Sequence, residues 1–271
     1  MSVSRVFLVA VLVLSLSGCK ALINQLAFHP DNTNLPDAGE LPPGVEEILI
    51  ETEDGVELTS LYLPSDTSKH VLIYFHGNGR NLYRRLSSYI KLREMGINVL
   101  AISYRGYGKS EGTPTEKGIY TDGEAALKYA TEVLGFSEDQ ILLFGRSIGS
   151  TVAVEIAQNR GVMGIVLVTP LTSGKDMAKE IGLSWFSSLA GDAFDNLTKI
   201  ESSQAPLLIV HGTEDKITPF FMGQELFEQA SVDKEFIRIE GGRHNDLHIT
   251  FGDEYWSPIE TFISELMTPG I

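Results

Sequence analysis

The feature that most constrains the fold is a Gly-x-Ser-x-Gly sequence at residues 145–149, centred on Ser147. The apolar residues 140–144 before it are typical of a buried parallel strand, and residues 150–158 after it have apolar side chains at helical spacing. Such a turn strains the serine backbone, and its small flanking residues let the helix pack against the strand. The pattern predicts a nucleophilic Ser147; the alternative is an ordinary strand-to-helix loop.

Length and charge narrow the classes of protein that the chain can be. With 271 residues and 43% apolar content, one large α/β domain is expected. The formal net charge is −15, and the sequence has no basic run. Because phosphate binding needs a concentrated positive surface, nucleic acid is excluded as a partner.

The amino terminus has the pattern of a bacterial lipoprotein signal peptide over residues 1–18. Arg5 precedes the apolar residues 6–14, a run shorter than the about 20 residues of a membrane span. Residues 16–19, Leu-Ser-Gly-Cys, resemble a lipobox, which is cleaved just before its cysteine. We therefore expect a lipidated Cys19, the only cysteine, to hold the protein on a membrane. The alternative is an uncleaved anchor with an incidental cysteine.

The residues after Cys19 bear on where the protein lies. The residue after Cys19 is Lys20, whereas an aspartate at that position would resemble an inner-membrane retention signal. The lysine therefore favours the outer membrane of a bacterial envelope, with the protein facing the periplasm. Residues 19–45 contain several prolines, and their apolar side chains do not recur at the spacing of a helix or a strand. They are therefore predicted to form a tether, part of which packs along the domain. An acidic body is not attracted to anionic lipid, so acyl chains are expected to do the anchoring.

Residues 46–271 are predicted to form the folded domain. Two strand patterns, at 48–51 and 56–63, flank Asp54-Gly55 and indicate a hairpin. Further strands are predicted at 71–75, 98–102, 140–144, 163–168, 206–210 and 235–239, alternating with helices at 80–95, 117–134, 148–159, 219–229 and 254–266. This alternation predicts a mostly parallel sheet with helices on both faces.

One connection, residues 171–199, is longer than a simple crossover. It contains apolar side chains that would line a pocket if the segment were a small cap over the site: Leu183, Trp185, Phe186, Leu189 and Phe194. The alternative is that these side chains are core contacts of a crossover helix.

A serine nucleophile needs a base to accept its proton and a carboxylate to orient that base. His244 is the preferred base because it follows the last strand in a glycine-containing loop. Asp215, with Glu214 in reserve, follows the strand at 206–210. As alternatives, Asp215 would cap the next helix and His244 would be a surface loop residue. The order Ser147, Asp215, His244 is the order of α/β-hydrolases.

An oxyanion in the transition state requires amide donors aimed at it. One is expected from the N–H of Ile148, directly after the nucleophile, and the other from Asn78 in the loop at residues 76–79. The alternative for that loop is a glycine-rich turn selected only for tightness.

Five short sequences together resemble the α/β-hydrolase superfamily and, within it, the Bem46-like serine hydrolases. They are His-Gly-Asn-Gly at 76–79, Tyr-Arg-Gly-Tyr-Gly at 104–108, Gly-Arg-Ser-Ile-Gly at 145–149, His-Gly-Thr-Glu-Asp at 211–215 and Gly-Arg-His-Asn at 242–245. The resemblance implies an eight-stranded sheet, a Ser147, Asp215, His244 triad and hydrolysis of esters or related acyl bonds. The family often has aspartate where this chain has Ser103.

These observations lead us to expect a serine hydrolase that needs no cofactor and cleaves carboxylic ester or thioester bonds of a small-molecule or lipid acyl substrate. Three alternatives stay open: a peptidase, an acyltransferase with the same triad, and a non-catalytic lipoprotein scaffold. A metal site at His244, Asp246 and His248 is disfavoured, because no other histidine or glutamate cluster supports it. The sequence does not determine the acyl length or the oligomeric state.

Overall fold

The computed structural model describes residues 24–268 apart from residues 26, 38, 67, 185, 186 and 188–190. In this part of the chain, eight strands form one sheet in the order β1-β2-β4-β3-β5-β6-β7-β8. They are β1 (Glu46–Glu51), β2 (Glu57–Leu63), β3 (Val71–Phe75), β4 (Asn98–Ile102), β5 (Ile141–Arg146), β6 (Gly164–Val168), β7 (Leu207–Gly212) and β8 (Lys234–Ile239). Strands β3 to β8 are parallel, and β2 is antiparallel to both of its neighbours. The predicted α/β-hydrolase fold is confirmed.

The hairpin at the start of the sheet forms around the predicted turn. Thr52 N donates to the Val56 carbonyl at 3.0 Å, which closes the turn. Gly55 has a φ of +78°, in the left-handed region that glycine adopts without a steric penalty. The Asp-Gly signal therefore predicted both the position and the antiparallel pairing of β1 and β2.

Helices cover both faces of the sheet. Those of the described residues are α1 (Leu86–Glu94), α2 (Glu116–Lys128), α3 (Gly149–Ala157), α4 (Gly174–Glu180), α5 (Asn196–Ile200), α6 (Phe220–Gln229), α7 (Leu247–Thr250) and α8 (Gly252–Met267). The five predicted helices are confirmed, with two departures in local geometry. A 3₁₀ turn, Leu82–Arg85, precedes α1, and a π-helical turn, Tyr129–Val133, follows α2.

Alternate residues of the central strands supply two separate cores. In β3, Ile73 belongs to the core that α2 and α3 cover, whereas Tyr74 belongs to the core that α1 and α8 cover. Helix α2 lies close to α3 at Gly123, where a Cβ would be 2.5 Å from Val152 Cγ1. Because both faces are covered, the carboxyl ends of the parallel strands are where the fold offers a site.

The described part of the long connection between β6 and β7 includes the short helices α4 and α5. Of the side chains predicted to form a cap, Leu183 and Phe194 line a cavity at the carboxyl edge of the sheet. Trp185, Phe186 and Leu189 lie outside the described residues. The described part of this connection therefore contributes a wall to the cavity, as a small cap would.

The predicted signal peptide and Cys19 also lie outside the described residues. In the part of the chain that is described, no helix combines the length and the apolar composition needed to cross a bilayer.

Candidate active site

Ser147 lies in the sharp turn between β5 and α3, as the sequence predicts. Its φ is +54°, in the left-handed region, where a non-glycine residue costs about 1–3 kcal/mol. Ser147 N donates to the Val168 carbonyl of β6 at 2.9 Å, so the neighbouring strand holds the strained turn in place.

The two glycines of the turn allow the close packing that this geometry needs. A Cβ on Gly145 would lie 2.6 Å from the Gly149 carbonyl oxygen. A Cβ on Gly149 would lie 2.1 Å from the Phe75 carbonyl oxygen in β3. Any side chain at either position would push α3 away from the sheet, so the glycines are required by sterics.

The structure brings Ser147, His244 and Asp215 together from the ends of three strands. His244 Nε2 is 3.0 Å from Ser147 Oγ, and His244 Nδ1 is 2.7 Å from Asp215 Oδ2. The three residues are 8%, 7% and 6% exposed, respectively. The imidazole thus bridges the hydroxyl and the carboxylate through its two nitrogens, the arrangement that lets a histidine take a serine proton while a carboxylate fixes its tautomer.

The surroundings of the two titratable groups keep both in the protonation state that this chemistry needs. Burial alone would raise the pKa of Asp215, but His211, whose Nε2 is 3.5 Å from Oδ2, and the hydrogen bond from His244 hold that pKa well below its ordinary value of 3.8. Burial lowers the pKa of His244 from 6.5, and the Asp215 carboxylate opposes that shift only in part. Near neutral pH, Asp215 is therefore ionised and His244 is neutral.

Asp215 does not cap the next helix, α6, which has no side-chain cap; its carboxylate instead closes the turn that precedes Pro219. Its Oδ1 accepts hydrogen bonds from Ile217 N at 2.8 Å and from Thr218 N at 2.9 Å. Its Oδ2 faces His244 Nδ1 and the Thr218 hydroxyl. The reserve carboxylate, Glu214, is exposed and lies 3.8 Å from Arg243.

Thr218 is a polar contact of the triad that the sequence analysis did not anticipate. Its Oγ1 is 3.0 Å from Asp215 Oδ2, 3.0 Å from His244 Nδ1 and 3.1 Å from the Thr169 carbonyl oxygen. The side chain is buried, with 1% exposure. A signal was present, because an aspartate side chain commonly binds the backbone of a turn about two residues further on, which brings the residues just after Asp215 against its carboxylate. The hydroxyl fixes the carboxylate and the imidazole relative to one another.

Arg146, the residue before Ser147, holds the histidine loop. Its Nη2 donates to the His244 carbonyl oxygen at 2.7 Å and to Asn245 Oδ1 at 2.9 Å. The guanidinium is buried, and this burial lowers the pKa of Arg146. The turn that contains Ser147 and the loop that contains His244 are therefore joined directly, by a hydrogen bond between residues 98 positions apart in the sequence.

Asn78 and Ile148, the predicted oxyanion donors, both line the cavity next to Ser147. Neither main-chain N–H donates to an acceptor among the described residues. The side chain of Asn78 is fully engaged, since its Oδ1 accepts from Tyr107 Oη at 2.7 Å and from His29 N at 2.8 Å. These contacts fix the loop that carries the Asn78 N–H.

The segment that precedes the domain packs against this loop. The Ala27 carbonyl accepts from Asn78 Nδ2 at 2.7 Å. Phe28 is buried, and its ring centroid is 5.9 Å from that of Phe194. Ala27 and His29 both line the cavity. The sequence identified no role for these residues in the site, because prolines and irregular composition do not show where a segment lies on the fold.

The cavity beside Ser147 has a volume of about 430 Å³, and most of its lining is apolar. Its wall includes Leu171, Met177, Leu183 and Phe194 from the long connection between β6 and β7. Such a space suits an apolar group placed next to Ser147.

The three residues weighed as a metal site have other contacts, which for His248 are with the Tyr255 ring, at 6.3 Å between ring centroids. His244 contacts Ser147 and Asp215, and Asp246 Oδ1 accepts from Arg243 N at 2.8 Å. Among residues 24–268 as described, no group of three or more histidine, cysteine, aspartate or glutamate side chains is placed to hold a metal ion.

Comparison with known proteins agrees with the fold. A family model described as "Serine aminopeptidase, S33" matches residues 66–199. Human α/β hydrolase domain-containing protein 17B is 33% identical over 223 residues, which are 82% of this chain and 76% of that protein. An uncharacterized Mycobacterium tuberculosis protein is 29% identical over 97% of this chain and 96% of its own length.

Solved structures share the architecture at lower identity. An esterase from Pyrococcus furiosus matches with a TM-score of 0.72 at 22% identity, and the match covers 89% of this chain and 100% of the esterase. Acetyl xylan esterase 1 from Thermoanaerobacterium matches with a TM-score of 0.68 at 17% identity, covering 93% of this chain and 94% of that one. At these identities the likeness shows the fold alone.

The eight-stranded sheet, the sharp turn at Ser147 and the similarity to these relatives together identify the protein as a hydrolase with the α/β-hydrolase fold. The chain belongs to the α/β-hydrolase superfamily and, within it, to the Bem46-like family represented by α/β hydrolase domain-containing protein 17B. The family resemblance read from the five short sequences is confirmed.

Proposed function

We propose that this hydrolase is a serine esterase, which cleaves carboxylic ester or thioester bonds through an acyl-enzyme and uses no cofactor. Ser147 is the nucleophile, His244 the general base and acid, and Asp215 the carboxylate that orients His244. The observation that carries the proposal is the position of His244, with one ring nitrogen 3.0 Å from Ser147 Oγ and the other 2.7 Å from Asp215 Oδ2.

Acylation begins when Ser147 Oγ attacks the carbonyl carbon of the substrate, and the Oγ proton passes to His244 Nε2. The carbonyl π electrons move onto oxygen, where the N–H groups of Ile148 and Asn78 stabilise the negative charge. As the tetrahedral intermediate collapses, the bond to the alcohol or thiol breaks. His244 then gives its proton to that leaving group, and the acyl group remains on Ser147.

Deacylation repeats these steps with water as the nucleophile. Water loses a proton to His244 and adds to the acyl carbonyl, and the same two N–H groups hold the second oxyanion. Collapse breaks the bond to Ser147 Oγ, which takes the proton back from His244, and the carboxylic acid leaves. Asp215 remains ionised throughout and stabilises the imidazolium form.

A panel of nitrophenyl esters graded by acyl length, tested on the purified chain, measures this activity. We expect hydrolysis with a preference for apolar acyl groups, because the cavity beside Ser147 is apolar. Ser147→Ala is expected to lower kcat/KM by roughly 10⁶-fold. Hydrolysis that survives Ser147→Ala at the unmodified rate would contradict the proposal.

An aminopeptidase is the alternative that the family model's description raises. Such an enzyme must bind the ammonium group of a peptide amino terminus, for which a carboxylate is the usual partner. Among the described residues that line the cavity, there is no aspartate or glutamate. Esters are therefore favoured over peptides, and an aminoacyl anilide run beside the ester panel tests the difference.

We also propose that the mature chain begins at a lipidated Cys19 and lies on the outer membrane, facing the periplasm. The lipobox-like residues 16–19 and Lys20 support this location. Mass spectrometry of the membrane fraction is expected to find a diacylglyceryl group on Cys19. Cys19→Ser is expected to leave the chain unprocessed, and an unmodified Cys19 in the parent chain would contradict the proposal.

A further inference from the structure

The mouth of the catalytic cavity has exposed apolar side chains. Ile181, which follows α4, is 58% exposed, and Ile217, two residues after Asp215, is 48% exposed; both line the cavity. Water contact at such large aliphatic side chains is unfavourable, and apolar surface around a binding site is typical of an interaction surface. We refer to Ile181 and Ile217 as the apolar rim.

The charges beside the rim balance locally. Helix α4 contains Lys175, Asp176, Lys179 and Glu180, two side chains of each sign, and Lys179 pairs with Asp176 at 2.7 Å. This balance contrasts with the net charge of −15 for the whole chain. Helix α4, which precedes Ile181, therefore has no net charge, and this side of the rim suits a zwitterionic surface better than an anionic one.

The path of the chain brings the rim close to the proposed anchor. Ala27 lines the same cavity as Ile181 and Ile217, and Cys19 precedes Ala27 by eight positions. At about 3.5 Å for each extended residue, the cavity cannot lie more than roughly 28 Å from Cys19. Ala27 cannot move away freely, because its carbonyl binds Asn78 and Phe28 is buried next to it.

We propose that the apolar rim docks on a neutral phospholipid surface, so that the catalytic cavity opens toward the bilayer and takes acyl groups from it. The proposal rests on the proposed function for the identity of the substrate and on the lipidated Cys19 for proximity. The rim supplies what an anchor alone does not, a fixed orientation of the cavity toward the lipid.

The experiment attaches an environment-sensitive dye to one introduced cysteine in the lipidated chain on phosphatidylcholine vesicles. Cys19 is the only native cysteine, and its lipidation leaves no second thiol to label. The rim variants are Ile181→Cys and Ile217→Cys. Matched controls are Leu49→Cys and Val133→Cys, since these side chains are 56% and 63% exposed and do not line the cavity.

Dyes at the rim are expected to shift to shorter wavelength on vesicles, to brighten about twofold or more, and to be quenched by brominated phosphatidylcholine. Dyes at the two control positions are expected to show neither change. Equal responses at rim and control positions would overturn the proposal, as would a rim dye that stays in water, which would favour a protein occupant instead.

A second measurement links docking to turnover. Ile181→Ser combined with Ile217→Ser is expected to lower the ratio of hydrolysis of a vesicle-embedded ester to that of a short soluble ester by about tenfold. An unchanged ratio would count against docking. If the parent chain hydrolyses neither ester, the proposed function fails, whereas the dye measurement still decides whether the rim docks.

Discussion

Replacing Thr218 with valine is expected to lower kcat about tenfold and to change KM for a short ester little. Valine keeps the branched shape of threonine and removes only the hydroxyl. That hydroxyl lies 3.0 Å from both Asp215 Oδ2 and His244 Nδ1. Its loss leaves the carboxylate and the imidazole with one fewer contact that fixes their relative position.

The expected size follows from the contacts that remain. A hydrogen bond to a charged group contributes about 1.5–3 kcal/mol, and about 1.4 kcal/mol of barrier corresponds to tenfold in rate. Asp215 keeps Ile217 N, Thr218 N and His244 as donors, and none of these depends on the Thr218 side chain. The change in barrier is therefore expected near the lower end of that range.

Steady-state kinetics on a short nitrophenyl ester measure the effect, with thermal unfolding recorded for each variant. Thr218→Ser restores the hydroxyl and is the matched control, expected to recover most of kcat. A positioning role is supported by a loss confined to kcat together with rescue by serine. Thr218→Val with kcat within twofold of the parent chain, or Thr218→Ser as slow as Thr218→Val, would refute the reasoning.

Three further changes have defined outcomes. Because burial lowers the pKa of His244 from 6.5, kcat/KM should fall as pH decreases through a midpoint below 6.5, and a flat profile down to about pH 4 would contradict a base at that position. Gly149→Ala should destabilise the fold by about 3 kcal/mol or more, because its Cβ would meet backbone at 2.1 Å, whereas Gly161→Ala, with nothing within 4 Å, should have little effect in denaturant titration. Phe28→Ala should release the segment that holds Asn78, lower kcat roughly tenfold and lower the unfolding midpoint, because Phe28 is buried against Phe194; an unchanged kcat in the folded variant would show that the segment does not position the loop.

The fold was predictable from the sequence because its signals are local. The apolar runs of β3 to β7, the helical spacing between them and the Asp54-Gly55 turn each depend on neighbouring residues. The departures are local too. The 3₁₀ turn before α1 and the π-helical turn after α2 are each continuous with an α-helix, and the spacing of apolar residues alone does not distinguish these geometries from an α-helix.

The three central site residues were identifiable because each follows a strand, and parallel strands end at one edge of the sheet. The contacts around them were not. Arg146 reaches His244 across 98 positions, and Ala27 reaches Asn78 across 51, distances over which no periodic pattern acts. Thr218 was within reach of sequence reasoning, since it lies three residues after Asp215, but its contact with His244 depends on where another loop folds.

The central claim is that Ser147 is an activated nucleophile, and a fluorophosphonate probe followed by peptide mass spectrometry tests it most directly. The account predicts one phosphonyl adduct, on the peptide that contains Ser147, formed within minutes in the parent chain. It predicts labelling that is slower by at least about 10²-fold in His244→Ala and absent in Ser147→Ala. No adduct in the folded parent chain, or an adduct on a different residue that persists in Ser147→Ala, would contradict the account.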